Sequence, residues 1–264
     1  MLRVRSLVCV ATLTLLGAAC GSSGETEDQS SSTGTSGTET TVDGTTASEV
    51  PTPDPIQGCV PSCNTPGITE PGPLSEGGYE TQWFFGGEMV VTLEEQWSSH
   101  EDSTGEFAIA LDATPENGVF FWEDVYPIED GMRVDGVPLT AAGLLDWLKS
   151  SSQVDVSSPI RGKIGDLPAT VVDVSLGPDA VNEEDNAYCR ARTCALFLGF
   201  PQWDGPWGIA GRQVQRLYLS DVTYGGQDHL FVVVIYPDDP ADMKTFSGTA
   251  ERLIDTVRVP ATPA

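Results

Sequence analysis

The side chains that could do chemistry in this chain are two histidines, six cysteines, 39 carboxylates and six tryptophans. His100 stands beside Glu101 and Asp102 in a stretch that reads as an exposed turn, and His229 follows Asp228 at the edge of a Gly225-Gly226 hairpin. An imidazole becomes a catalytic base only beside an orienting partner and a nucleophile, yet neither a G-x-S-x-G elbow nor an H-E-x-x-H pair is present. A glycosidase needs two facing carboxyl groups, and in so acidic a chain no single pair stands out. The acidic run Asn182-Glu183-Glu184-Asp185-Asn186 offers oxygen ligands but lacks the alternating spacing that wraps a calcium ion. More suggestive is the Pro/Gly-punctuated loop Phe200 to Gly208, which carries Trp203 and Trp207. Indole combines a large apolar face with one N–H donor and suits sugar rings, peptides or a protein partner. With Arg190 and Arg192 close by in sequence, the two tryptophans form a candidate ligand patch, aromatic and locally basic. The competing expectation is that the tryptophans plug the end of a sheet and the arginines neutralise the acidic run.

The compartment is written at the N-terminus. Arg3 and Arg5 precede an apolar run from Ser6 to Leu16, too short to span a bilayer, and Gly17-Ala18-Ala19 puts small residues before Cys20. This segment resembles the lipobox signal of bacterial lipoproteins, with Gly17 where that family usually has leucine and Leu16 one step further out. The resemblance implies a signal peptide over residues 1–19 and a lipid on Cys20, which would become the first residue of an envelope protein held on the extracytoplasmic face of a membrane. Export also governs how the cysteines are read. Cys59, Cys63, Cys189 and Cys194 are an even set in an oxidising compartment and are expected in disulfides, with the two local pairings favoured. Their C-x3-C and C-x4-C spacings do not fit zinc knuckles, so no metal or other cofactor is expected.

Charge narrows the partners. The chain holds 13 Lys+Arg against 39 Asp+Glu, a formal net charge of −26, which argues against nucleic acid or an anionic membrane surface as a ligand. The expected contacts are therefore a bilayer through the Cys20 anchor alone and a cell-wall or protein partner. The charge is also uneven: no Lys or Arg occurs between Arg5 and Arg133.

These residues must be positioned by the rest of the chain. Residues 20–56 are Gly, Ser, Thr, Asp and Glu with almost nothing apolar, so they read as a disordered acidic tether. A flexible coil of about 50 residues reaches on the order of 40 Å, enough to hold a domain off its membrane. A Pro/Gly-rich segment with the first cysteine pair occupies 57–78, and one domain occupies 79–260. Within it, Phe107, Ile109 and Leu111 alternate as a half-buried strand, and Gly118 to Trp122 pairs with it as a hairpin. Thr140 caps a helix whose Ala141, Leu144, Leu145 and Leu148 form one stripe. Strands are expected at Thr170 to Leu176, Cys194 to Phe200, around Leu217 and Leu219, and from Leu230 to Tyr236, the last apolar on both faces and therefore central. Asp239-Pro240 starts a final helix through Phe246, Ala250, Leu253 and Ile254.

Strands, helix, further strands and a closing helix make an α+β domain, expected as a curved antiparallel sheet of about six strands flanked by two helices. The aromatic opening Tyr79 to Phe85, Trp97, the helix ending Trp147-Leu148, the strand Ala169 to Leu176 and the closing Leu253-Ile254-Asp255-Thr256-Val257 resemble the PsbP-like fold. That resemblance implies a binding or assembly module without a shared catalytic site. The expected function is thus a surface-tethered, non-enzymatic binding module. A carbohydrate or peptidoglycan hydrolase with a carboxylate pair and a calcium-dependent adhesive domain are the alternatives.

Overall fold

A computed structural model describes residues 72–111, 117–180, 193–201, 205–237 and 239–264. The first strands are β1 (Gly72–Leu74), β2 (Gly77–Glu80), β3 (Val90–Leu93), β4 (Trp97–Asp102), β5 (Glu106–Leu111) and β6 (Asn117–Glu123). Then come β7 (Tyr126–Glu129), β8 (Met132–Arg133), helix α1 (Ala141–Ser150), β9 (Val154–Val156), β10 (Ile160–Ile164) and β11 (Leu167–Leu176). The chain closes with β12 (Cys194–Gly199), β13 (Trp207–Ala210), β14 (Val214–Tyr224), β15 (Gln227–Pro237), helix α2 (Met243–Thr256) and β16 (Thr262–Pro263).

The main sheet runs β1-β4-β5-β6-β15-β14-β11-β10, with β16 added to β14 and β9 to β11, and every pairing is antiparallel. Ten strands replace the expected six. The excess comes from short strands such as β1, β9 and β16, whose two or three residues are too few to show an alternation. A second correction concerns the Cys194 strand, which leaves the main sheet and forms a separate four-stranded one in the order β13-β12-β7-β8. The α+β class stands: two short helices on an antiparallel sheet.

Side chains alternate across the main sheet and make two cores. On one face Phe107, Ile109, Val119, Phe121, Phe231 and Val233 pack with Phe246, Ala250, Leu253 and Ile254 of α2 and with Phe84 and Phe85 from the turn after β2. On the other, Trp122, Val232, Val234, Leu217 and Leu219 pack with Leu144 and Leu148 of α1 and Phe197, Leu198 and Ile209 of the smaller sheet. The run Leu230 to Ile235 is fully buried because β15 has a layer on each side. Helix α1 starts as expected, the Thr140 hydroxyl accepting the Gly143 N–H at 3.0 Å, and Asp221 adds a distant cap by accepting the Ala141 N–H at 2.6 Å. Asp239 accepts the Ala241 N–H at 2.8 Å and starts the single 3-10 turn that leads into α2. No helix among the described residues is long and apolar enough to cross a membrane.

Candidate functional site

Three neighbouring strands, β6, β15 and β14, carry a row of polar side chains to one end of the main sheet. Phe231 is the register partner of Glu123, and Val222 that of His229. Two residues along a strand return to the same face, so Glu123, His229 and Tyr224 stand diagonally next to one another on the α2 face, beyond the apolar core.

The end of β6 builds the first half. After Glu123 the chain turns at Asp124, which adopts φ +53°, a left-handed conformation that aspartate tolerates better than most residues. Asp124 is then pinned by backbone: its N–H donates to Leu230 O at 2.9 Å and its Oδ1 accepts the Leu230 N–H at 3.0 Å. The remaining oxygen, Oδ2, lies 2.8 Å from His229 Nδ1. A carboxylate only accepts, so Nδ1 carries a proton and donates to Asp124, while Nε2 has no hydrogen-bond partner among the described residues.

Glu123 is 8 % exposed, yet its carboxyl has one hydrogen bond, accepted by Oε1 from the Phe85 N–H at 3.2 Å. Burial pushes this carboxyl up to about 7; the Phe85 N–H and the nearby His229 oppose the shift, and the Asp124 charge adds to it. The sealed orphan atoms among the described residues are His100 Nε2 and Trp122 Nε1. Glu123 Oε2 is not one of them, so it is both unpartnered and open to solvent. Tyr224 has its phenol raised by partial burial and by Glu88 and Glu123.

The roof of this site is the Phe84–Gly87 turn. Phe85 sits at φ +48° and Gly86 at φ +65°. Such a conformation in phenylalanine costs on the order of 1 to 3 kcal/mol and persists only where neighbours hold it. Phe85 meets Tyr224 edge-on at 5.4 Å and Phe231 at 5.1 Å, and a side chain on Gly86 would run into the Tyr224 hydroxyl. Asp102 caps the strand-to-turn junction, its carboxylate accepting the N–H groups of Gln82, Trp83 and Phe84. A bulge aims it there. Ser99 pairs with Ile109 while Glu101 pairs with Ala108, so His100 is an extra residue that shifts Asp102 onto the face it shares with Phe107. His100 is thus a strand residue with a buried Nε2, and the exposed turn expected there is corrected. The roof leaves Trp83 53 % exposed.

The tryptophan loop resolves differently. Trp207 is half-buried on β13, its ring 4.8 Å from Phe120, 4.9 Å from Trp122 and 5.4 Å from Tyr236. Its indole N–H donates to Gln215 Oε1 at 2.9 Å, and Gln215, fully buried, donates onward to Gly208 O at 2.9 Å. Ring and polar atom are both spent within the fold. Trp203, Arg190, Arg192, Cys20, Cys59, Cys63, Cys189 and the 182–186 run lie outside the described residues. Cys194 is disulfide-bonded, to a partner also outside them. No group of three or more His, Cys, Asp or Glu among the described residues is arranged to hold a metal ion.

The Glu123–Asp124–His229 cluster escaped sequence reasoning because Asp124 and His229 are 105 positions apart. The one local signal was the acidic pair Glu123-Asp124 closing an otherwise apolar strand.

No family model and no curated protein matches this chain. Among solved structures it is similar to a Bacteroides thetaiotaomicron protein, at 11% identity over 71% of this chain and 48% of that one, with a TM-score of 0.31. The chain therefore spans about half the length of that structure, a likeness too slight to carry an argument about fold or function.

Proposed function

We propose that this chain is an exported lipoprotein, lipidated at Cys20 and tethered to the cell envelope by its acidic segment, whose PsbP-like domain is a non-enzymatic binding module. Recognition is assigned to the sheet end formed by Trp83, Glu123, Asp124 and His229. The observation that supports this is Glu123: an acidic group more than nine-tenths buried, with one open oxygen, set under a turn that leaves a tryptophan exposed. Stability alone would favour an apolar residue there, since burying a carboxyl with a single hydrogen bond is unfavourable. The earlier patch around Trp203, Trp207, Arg190 and Arg192 becomes secondary, because Trp207 is engaged in packing.

A second reading has one observation in its favour. A carboxyl titrating near 7 beside an Asp-backed histidine could serve as general acid and base, which suits the hydrolase alternative. The two are separated by tryptophan fluorescence and thermal shift of the full chain against glycans, cell-wall fragments, peptides and amines. A binding module gives a shift that Trp83→Ala abolishes while the melting temperature holds, with the ligand recovered unchanged. Recovery of cleaved ligand would overturn the non-enzymatic reading, and an unaltered shift in Trp83→Ala would move the site elsewhere.

A further inference from the structure

The main sheet ends at β10, and no strand among the described residues pairs with its outer side. Its register with β11 shows which backbone groups face outward. Lys163 stands opposite Pro168, which has no N–H, so these two do not exchange ladder hydrogen bonds, and by alternation neither do Arg161 and Thr170. The N–H and C=O groups of Arg161 and Lys163 therefore point away from β11, and no backbone hydrogen bond from another described segment meets them. At the far end of the same sheet β1 is three residues long and contains Pro73, whereas β10 offers an edge of five residues. Edge strands are commonly guarded by charge. In a chain with 39 Asp+Glu against 13 Lys+Arg, the guard on β10 is cationic: Arg161 and Lys163, both exposed, lie two positions apart and share one face. Lys163 meets Asp255 at 3.3 Å in a pair more than half exposed on both sides, and Arg161 has no described ion pair. The other face carries Ile160, 62 % exposed, beside Gly162, where a side chain would run into Val171.

We propose that the β10 edge takes up an acidic, extended segment of a partner polypeptide as an added antiparallel strand, with carboxylates opposite Arg161 and Lys163 and an apolar side chain between them, opposite Gly162 and against Ile160. Backbone hydrogen bonds to Arg161 and Lys163 hold such a strand, and the side chains on its two faces select it. Residues directly opposite each other share a face and stand close enough for a carboxylate to reach each cation. The same geometry disfavours a second copy of this chain. An antiparallel neighbour using its own outward groups would set Arg161 and Lys163 against the same two cations, and like charges opposite each other repel. An acidic strand turns that repulsion into attraction. This surface is separate from the Trp83 end of the sheet and does not depend on the reading given to it.

The test is calorimetric titration of the full chain with an acetylated, amidated heptapeptide alternating valine and glutamate, against the same peptide with lysine for glutamate at equal ionic strength. Hydrogen exchange of the Arg161 and Lys163 amides is followed by NMR in parallel. The glutamate peptide should bind at least tenfold tighter than the lysine peptide and slow exchange at both amides. Arg161→Glu, on an exposed side chain, should weaken binding at least tenfold at an unchanged melting temperature, and Trp83→Ala should leave binding unaltered. In the added strand the glutamate N–H groups face β10 and the valine N–H groups face solvent, so N-methylation of the glutamates should abolish binding and N-methylation of the valines should preserve it. Equal binding of the two methylated peptides would overturn the proposal in favour of diffuse charge attraction, and no binding of the glutamate peptide would overturn it outright. Slow exchange at Arg161 and Lys163 in the free chain would overturn it too, assigning the edge to the chain's own acidic segment if independent of protein concentration and to a second copy if not.

Discussion

Two polar clusters stand on the same face of the main sheet and are completed in opposite ways. Under α2, Arg216 of β14 is held by Asp173 of β11 at 2.8 Å and by Glu251 of α2 at 2.7 Å, and the Tyr218 hydroxyl donates to Glu251. The guanidinium is stabilised in its charged form by Asp173 and Glu251, and the Tyr218 phenol is raised chiefly by burial. One cation closes two carboxylates and clamps the helix to the sheet. At the sheet end Glu123, Asp124 and Glu88 gather with no Lys or Arg among the described residues paired to them, and Glu123 keeps one oxygen without a hydrogen bond. Where the chain supplies the donor, a polar cluster becomes an internal clamp. Where it withholds the donor, a carboxyl is left to solvent and to its own proton.

The largest expected effect breaks the closed cluster. Arg216→Ala leaves Asp173 and Glu251 without their cation, and because all three are partly exposed the loss is set at about 2 to 3 kcal/mol, below the fully buried case. Urea unfolding at pH 7 measures it; a change within 0.5 kcal/mol would mean that α2 is held by Phe246, Leu253 and Ile254 alone.

Glu123→Gln should act in the opposite direction. The raised carboxyl binds its proton more tightly folded than unfolded, so its stabilising contribution is fully present below the unfolded value near 4.5 and is lost as pH rises through about 7. Native protein at pH 8 carries a buried carboxylate that the amide variant lacks. The variant should therefore be more stable than the parent at pH 8 by on the order of 2 kcal/mol, and the two should converge near pH 4.5. Melting curves from pH 4.5 to 8 check this, and parallel curves would show that Glu123 ionises freely in the fold.

Asp102→Ala removes the acceptor for three roof N–H groups and should cost about 1 to 2 kcal/mol, with the Trp83 emission moving toward that of free indole as the turn loosens. The smallest effect is expected for His229→Gln, below about 1 kcal/mol, since the ring is partly exposed and makes a single side-chain hydrogen bond, to Asp124. That variant tests whether the open cluster contributes to stability at all.

Much of the architecture was legible in local pattern. The hairpin β5–β6, the capped start of α1 at Thr140, the Asp239-Pro240 start before α2 and the central position of β15 all follow from signals within a dozen residues. The short strands were not legible, because two or three residues show no period and acquire a role only when a neighbouring edge is offered, as β4 offers one to β1. Nor could the sequence show that the Cys194 strand joins β7 and β13, a pairing chosen by tertiary contacts.

What the chain determined by itself is composition: a basic then apolar N-terminal run ending at Cys20, a net charge of −26 and no Lys or Arg between Arg5 and Arg133. Those follow from residue identity and order alone. The tertiary structure decided which acidic groups meet. It took antiparallel register to bring Glu123, His229 and Tyr224 into one diagonal row, a one-residue bulge to aim Asp102 at the roof, and burial to separate Glu123 from the other carboxylates. Distance in space and loss of solvent set the energy of a charge, and neither is encoded in the spacing of residues along the chain.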